Sequence, residues 1–361
     1  MAKRAALILA GGKARRFQVK GGKWEDKALA TLAGKPLLVH AVENVQGVVD
    51  KVAVSVSDEE RGARYAEILK THGLKVAQIV LDEKTEISGP TVAIMSGLKR
   101  VQADYCLTLP CDMPFLQPEV ADYLFRQAQG FDVAVPMWPN GRLETLLNVI
   151  ERQNGLEITE TLCKLKRPRS DDIQRGAGKI LLASTVGEIK ALDPELESFV
   201  NINSKEDLKQ PRTRLGHGPV QENLQLNLGS FSTSGLNLLR GGAGMVQEGK
   251  LAEAQSVFSS CTRNFEAKES FFWAGVSGEN QGEALLKLSE QQHGQQEAVE
   301  LDFEGKDAFL RAANNYRVEA EWLEENRCRL LAERAFSDKA WCESWAMGKH
   351  SHAHRYPPKV A

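Results

Sequence analysis

AALILAGGKARR, residues 5–16, is the most informative stretch of this chain. Its first six residues, Ala5–Ala10, form an apolar run that predicts a buried strand. The pair Gly11–Gly12 follows at once, and a backbone without Cβ atoms can approach a ligand closely while its amides form an anion-binding nest. Lys13, Arg15 and Arg16 add positive charge. The stretch therefore predicts a phosphate-binding cradle, although it matches neither the G-x-x-x-x-G-K-[ST] loop nor the G-x-G-x-x-G fingerprint.

Short apolar runs alternate with helical patterns from this first strand to residue 209. Such alternation with short connections indicates an α/β fold around a largely parallel sheet. Several runs are almost continuously apolar, as expected when helices cover both faces of the sheet. The predicted strands are Ala5–Ala10, Val52–Val56, Val76–Leu81, Tyr105–Leu109, Val133–Pro136, Thr145–Ile150, Ile189–Leu192 and Phe199–Ile202, and the predicted helices are Pro36–Val45, Asp58–His72, Pro90–Val101 and Pro118–Gln129.

The composition changes near residue 210, and we predict that residues 1–209 form one domain. Glycine, proline, asparagine and serine crowd residues 210–244, which predicts a linker or irregular connection. Residues 245–349 favour helix, which predicts a small all-α domain of helical hairpins, and residues 350–361 predict a loosely ordered tail. The predicted helices of this part are Gln255–Cys261, Glu283–Gln292, Ala308–Glu324 and Arg327–Phe336.

Polar residues follow several predicted strands at what would be one edge of the sheet. Asp82 follows the third strand, Asp112 follows the fourth, and Asn201-Ile202-Asn203 stands at the end of the last. Open α/β sheets bind ligands at the carboxyl ends of their strands, and a carboxylate facing a phosphate cradle is typical of a Mg²⁺ site. Lys27 would return to the cradle as a further positive charge. The alternatives are that Asp112 only caps a helix and that Lys27 is an ordinary surface lysine.

Charge and cysteine usage exclude several classes of protein. Lys plus Arg is 46 and Asp plus Glu is 48, and this formal net charge of -2 does not suit a general nucleic-acid binder. No apolar run approaches the ~20 residues of a transmembrane helix. The six cysteines are scattered and form no C-x-x-C pair, which predicts a reducing, cytoplasmic compartment.

The order of these motifs resembles the molybdenum cofactor guanylyltransferase family, which are nucleotidyltransferases of the glycosyltransferase-A-like, Rossmann-type α/β fold. The resemblance covers about residues 5–208, and its first motif and its proline-flanked aspartate motif are specific when they occur together. The motifs are residues 9–16 (LAGGKARR), 26–29 (DKAL), 34–37 (GKPL), 89–90 (GP), 110–115 (PCDMPF) and 201–203 (NIN).

This resemblance implies transfer of GMP from GTP to the molybdopterin cofactor, with Mg²⁺ as the metal and pyrophosphate as the second product. It implies that the nucleotide is contacted by the backbone of the first loop and by two polar side chains further along the chain. It also implies side chains for the phosphates and the metal. The nucleotide contacts would be Leu9, Ala10, Gly11, Gly12, Lys13, Ser55 and Asp82; the phosphates would be held by Arg16 and Lys27; Asp112 would bind Mg²⁺, and Asn201 and Asn203 would complete the metal and phosphate edge.

Two departures from the family pattern leave alternatives open. Ser55 stands where the family commonly has Asn, and Ala93 stands where it often has Gly. A cytidylyltransferase, or a nucleotidyltransferase with another phosphate acceptor, therefore remains open. So does a non-catalytic GTP-binding adaptor. The helical part would then dock a molybdoenzyme or a maturation partner, or it would form a contact between copies of the chain.

Overall fold

The computed structural model describes residues 2–12, 14–18, 24–74, 78–211, 222–292 and 294–349. The chain divides into two compact units, Met1–Leu226 and Asn227–Ala361. Lys13 and the tail at residues 350–361 lie outside the described residues, so the predictions made for them stay predictions.

The first unit is built on a mixed sheet that is mostly parallel. Within the described ranges it has eight strands in the order β10-β9-β7-β8-β6-β1-β4-β5. Strands β6, β1, β4 and β5 run parallel to one another, β7 runs parallel to β9, and β8 is antiparallel to both β6 and β7. The strands are β1 (Arg4–Leu9), β4 (Lys51–Val56), β5 (Gln78–Leu81), β6 (Tyr105–Pro110), β7 (Val133–Met137), β8 (Asn148–Glu151), β9 (Lys179–Ser184) and β10 (Leu224–Asn227), with β2 (Thr31–Leu32) and β3 (Lys35–Pro36) forming a separate short pair.

Helices cover both faces of this sheet, as the apolar strands predicted. Ile8 of β1 packs in the same core cluster as Leu38 and Val42 of α1. On the opposite face Leu7 lies against α3, where a Cβ added at Gly97 would be 2.1 Å from the Leu7 side chain. The helices are α1 (Leu37–Val45), α2 (Glu59–Thr71), α3 (Pro90–Arg100), α4 (Pro118–Gln127), α5 (Arg152–Lys164), α6 (Asp171–Gly176), α7 (Glu188–Leu192) and α8 (Lys205–Lys209).

The predicted α/β class is confirmed, but two predicted strands are wrong. Ile189–Leu192 is part of helix α7, and Phe199–Ile202 begins at the end of a 3₁₀ turn, Glu197–Phe199, without joining the sheet. A run of about four apolar residues fits a single helical turn as well as a strand, so periodicity could not separate them. The strand predicted at Thr145–Ile150 begins only at Asn148. The sequence reasoning also missed α5 and β9.

The second unit is helical, as predicted, and its helices are longer than the predicted segments. Within the residues described here, helices adjacent in the chain pack against one another. Where their apolar faces meet, aromatic rings of one helix pack against small residues of the next. For example, a Cβ at Gly275 would lie 2.6 Å from the Tyr316 ring. The helices are α9 (Thr233–Gln247), α10 (Leu251–Glu266), α11 (Phe271–Gln291), α12 (Gln295–Glu325) and α13 (Arg329–Ala346).

The stretch predicted as an irregular connection, residues 210–244, holds strand β10 and most of helix α9. At least one of the glycines that suggested a linker serves close packing instead. A Cβ at Gly242 would lie 2.7 Å from the ring of Phe258 on α10, so this helix pair requires a residue without a side chain there.

Two further observations concern the environment of the chain. Among the described residues, no helix combines the length and the apolar character that a membrane crossing needs. All six cysteines are buried, and none of them forms a disulfide bond.

Candidate active site

Four parallel strands bring the predicted site residues to one edge of the sheet. Leu9 at the end of β1 is in register with Ser55 of β4 on one side and Pro110 of β6 on the other. Val56 of β4 is in register with Leu81 of β5. Because the carboxyl ends of parallel strands meet at one edge, the loops that follow these strands lie side by side.

Lys27, Asp112 and Asn203 meet at this edge. The Lys27 ammonium donates to Asp112 Oδ2 over 2.6 Å and to Asn203 Oδ1 over 3.3 Å. The backbone N–H of Ile202 donates to the Asp112 carbonyl over 2.9 Å, which ties the Asn-Ile-Asn segment to the aspartate loop. Two side-chain oxygens from distant parts of the chain therefore accept from the ammonium group of Lys27. The alternative that Lys27 is an ordinary surface lysine is wrong.

The local sequence explains the position of Lys27. It begins a 3₁₀ turn, Lys27–Leu29, whose N-cap is Asp26. The Asp26 carboxylate accepts from the backbone N–H of Ala28 over 3.2 Å, which satisfies a donor that the short turn would leave free. The turn points the lysine toward the edge of the sheet.

Ser55, Asp82 and Gly11 form a second group at the same edge. The fully buried Ser55 hydroxyl donates to Asp82 Oδ1 over 2.5 Å. Burial raises the pKa of Asp82, and the hydrogen bond from Ser55 opposes that rise. A Cβ added at Gly11 would lie 3.1 Å from Asp82 Oδ2 and 3.1 Å from the backbone nitrogen of Ser57. A side chain at residue 11 would thus crowd the aspartate, which explains the glycine.

The remaining predicted site residues belong to neither of these two groups. The backbone N–H of Ala10 donates to the Ser55 carbonyl over 3.0 Å, and Gly12 is exposed with open space around its Cβ position. Arg16 is exposed in a 3₁₀ turn, and within the described part of the chain no hydrogen bond joins it to Lys27, Asp112 or Asn203. The Asn201 amide donates to the Phe199 carbonyl over 3.1 Å.

Sequence reasoning missed two side chains of helix α2 that support the site, Arg61 and Tyr65. Arg61 Nη1 donates to the Gly11 carbonyl over 3.0 Å, and its Nε lies 3.4 Å from the Asp26 carboxylate. The Tyr65 hydroxyl lies 2.8 and 2.9 Å from the two Asp26 oxygens, and burial raises its pKa, so that it stays protonated and donates. The two residues stand four positions apart on a predicted helix, and this spacing, which places both side chains on one helix face, was the available signal.

The donor set at this edge fits a hard divalent cation that also binds phosphates. Asp112 and Asn203 carry side-chain oxygens that could ligate such a cation, and in the structure these oxygens accept from the Lys27 ammonium. The described ranges contain no cluster of three or more His, Cys, Asp or Glu side chains that could cage a metal ion. Mg²⁺ suits such a site because it binds through one or two protein oxygens and completes its shell with water and substrate phosphates.

Comparison with known proteins gives a consistent result. A family model described as a MobA-like NTP transferase domain matches residues 6–179. A probable molybdenum cofactor guanylyltransferase of Methanosarcina acetivorans is 34% identical over 207 residues, 57% of this chain and 88% of that protein. A second from Methanosarcina mazei is 32% identical over 214 residues, 59% of this chain and 91% of that protein.

A molybdenum cofactor guanylyltransferase of Shewanella putrefaciens is 30% identical over 209 residues, 57% of this chain and 94% of that protein. The resemblance identified from the motifs is therefore confirmed, as is the assignment of the chain to the nucleotidyltransferase enzymes. This chain belongs to the molybdenum cofactor guanylyltransferase family, with its MobA-like domain in the first unit.

Proposed function

We propose that this chain transfers GMP from GTP to the terminal phosphate of the molybdopterin cofactor, forming the guanine dinucleotide cofactor and pyrophosphate. The observation that carries this proposal is the group Lys27–Asp112–Asn203 beside the Gly11–Gly12 loop, in a chain of this family. A cation and oxygen ligands next to exposed backbone amides suit a nucleoside triphosphate.

The reaction needs positioning and charge neutralisation more than covalent chemistry. An oxygen of the acceptor phosphate forms a bond to the α-phosphorus of GTP. The bond from that phosphorus to the bridging oxygen of the β-phosphate breaks, and pyrophosphate leaves with the electron pair. Backbone amides of the Gly11–Gly12 loop, Lys27 and the exposed Arg16 would hold the phosphates. Mg²⁺, when bound, would be held by Asp112 and Asn203 and would neutralise phosphate charge.

The hydrogen-bonded pair of Ser55 and Asp82 is the observation that favours guanine as the base of the nucleotide. A guanine presents two neighbouring N–H donors, N1–H and the exocyclic amine, and an ionised carboxylate accepts from both. Ser55 occupies one side of Oδ1, so it fixes the orientation of the Asp82 carboxylate beside the loop that approaches the nucleotide. This pairing favours GTP over CTP or ATP.

We further propose that the protein works in the cytoplasm, since six buried cysteines without a disulfide bond suit a reducing compartment. The helical second unit would dock a molybdoenzyme or a maturation partner, or would join copies of the chain. Its helix α12 presents Val299, Phe303 and Leu310 to solvent, and such an apolar stripe suits a protein contact.

The test is pyrophosphate release with Mg²⁺ and molybdopterin cofactor, comparing GTP, CTP and ATP. We expect release with GTP and a loss of about 10²–10³-fold for Asp112→Asn, the size of effect known for removing one charge-stabilising group. Asp122→Asn is the matched control, because its carboxylate forms an ion pair on the outer surface at Arg4. Release with CTP alone would overturn the guanylyl assignment, and activity unchanged in Asp112→Asn would overturn the site.

A further inference from the structure

We infer that Arg61 is a positioning residue that fixes both the first loop and the Lys27 turn, without itself binding the nucleotide. This inference rests on the proposed function, since it assigns a role within that same site. Arg61 lies on helix α2, outside the motifs that carry the resemblance.

The guanidinium of Arg61 is engaged on the protein side of the loop. Its Nη1 lies 3.0 Å from the Gly11 carbonyl, 3.4 Å from the Gly12 carbonyl and 3.2 Å from the Ser57 hydroxyl oxygen. Its face stacks on the Trp24 ring, with the guanidinium carbon 4.7 Å from the ring centre. The side chain is only 11% exposed, so it is held between the loop and its neighbours instead of reaching into solvent.

The contact with the Gly11 carbonyl sets the direction of the next amide. The peptide bond between Gly11 and Gly12 is trans, so the Gly11 carbonyl and the Gly12 N–H point in opposite directions. Because the carbonyl faces Arg61, the N–H faces away from α2. The space around the Gly12 Cβ position is open. Arg61 therefore holds one donor of the anion nest in the orientation that an incoming phosphate needs.

The contact with Asp26 connects the same side chain to Lys27. The Asp26 carboxylate is 6% exposed and caps the Lys27–Leu29 turn. Arg61 and Tyr65 both hold it from one face of α2. The positive charge of Arg61 also compensates this buried carboxylate, which would otherwise offset the field of the adjacent Lys27. Both phosphate-binding elements are thus anchored to one helix face.

Arginine suits this role better than lysine. A planar guanidinium donates in several fixed directions, so one side chain can bridge a carbonyl and a carboxylate. A lysine ammonium on a flexible stem would reach one of the two partners. Arg61→Lys should therefore retain part of the function that Arg61→Gln loses.

The experiment compares Arg61→Gln, Arg61→Lys and the control Arg64→Gln in the full chain. Arg64 lies on the same helix and is exposed, so its variant removes an equal charge. Three properties are measured: amide exchange of Ala28, Leu29 and Ala30, binding of pyrophosphate with Mg²⁺, and kcat/KM for GTP.

We expect Arg61→Gln to accelerate exchange in the Lys27 turn at least tenfold while the amides of β1 keep their protection. Displacement of positioned groups by an ångström costs about 100-fold in rate, so kcat/KM should fall by that order. Arg61→Lys should recover to within roughly tenfold of the wild type, and Arg64→Gln should stay within about twofold, as is usual for surface charges.

Two results would overturn the inference. Arg61→Gln could leave exchange and pyrophosphate binding unchanged, or it could weaken pyrophosphate binding while exchange in the turn stays that of the wild type. The second result would mean that Arg61 does not fix the Lys27 turn and affects the anion only through the first loop or by touching it. If Arg61→Gln does not fold, Asp26→Asn, which keeps an oxygen for the Ala28 and Tyr65 donors, must accelerate the same exchange.

This design separates the inference from the proposed function. A wild-type chain that releases no pyrophosphate from any nucleotide contradicts the proposed function. Exchange in the Lys27 turn is measured on the free protein, so it still decides whether Arg61 positions that turn.

Discussion

Replacing Lys27 with methionine tests the centre of the site. The change keeps the length and the apolar stem but removes the ammonium between Asp112 and Asn203. At 2.6 Å the gross attraction to the Asp112 carboxylate is roughly 6 kcal/mol for an effective dielectric constant near 20.

Desolvation offsets most of that attraction, because the two side chains are 11% and 21% exposed. Exposed pairs contribute at most about 1 kcal/mol, and breaking buried pairs costs about 3–5 kcal/mol. For this partly buried pair we expect a loss of about 2 kcal/mol in the free energy of unfolding. For a unit of this size that corresponds to a fall in Tm of about 4–8 °C.

The assays are thermal unfolding, pyrophosphate release and binding of Mn²⁺ followed by electron paramagnetic resonance. Lys27→Met should lower kcat by about 10²–10³-fold, since it removes a charge that stabilises the transferring phosphates. It should also bind Mn²⁺ more tightly in the absence of nucleotide, because the ammonium no longer neutralises Asp112.

The control is Lys35→Met, which removes an exposed ion pair of 2.8 Å with Glu43. The reasoning is refuted if Lys27→Met unfolds no earlier than this control and retains its turnover. Weaker Mn²⁺ binding in Lys27→Met would refute the idea that the Lys27 ammonium competes with a metal ion for Asp112.

The place of Asp112 at this edge could be predicted from a general rule, because polar residues that follow parallel strands share an edge. Lys27 directly follows no strand of the main sheet and lies 85 positions from Asp112 in the chain, so the rule did not decide between the cradle and the surface for this lysine. Asn203 joins them although the strand predicted before it does not exist. The hydrogen bond from Ile202 to the Asp112 carbonyl brings that segment to the edge, and hydrogen bonds between loops leave no periodic signal in a sequence.

The i, i+4 spacing of Arg61 and Tyr65 was not enough to single out Arg61, for a similar reason. Its role depends on a backbone carbonyl 50 residues earlier, and the chain contains 46 lysines and arginines with equal formal charge. The glycines of α9 led to the opposite kind of error, the prediction of a linker where the chain forms a helix. Glycine usually marks turns, but at Gly242 it allows the ring of Phe258 to approach, and only the partner helix reveals that purpose.

Two further predictions address packing and pH. Gly242→Ala should destabilise the helical unit by about 1–3 kcal/mol, because its Cβ would lie 2.7 Å from the buried Phe258 ring. Gly241→Ala, one position earlier with nothing within 4 Å, should stabilise it by about 0.5–1 kcal/mol; equal effects in urea unfolding would contradict the packing argument. Burial raises the pKa of Asp82 in the folded chain, so its contribution to stability is present at low pH and is lost as pH rises from 3.8 through the folded-state pKa. Ser55→Ala removes the hydrogen bond that lowers this pKa. The acid limb of kcat/KM for GTP should therefore move to higher pH, because the carboxylate must be ionised to accept from guanine. A pH profile that stays in place, measured with GTP at saturating acceptor, would show that Asp82 does not bind the base in its ionised form.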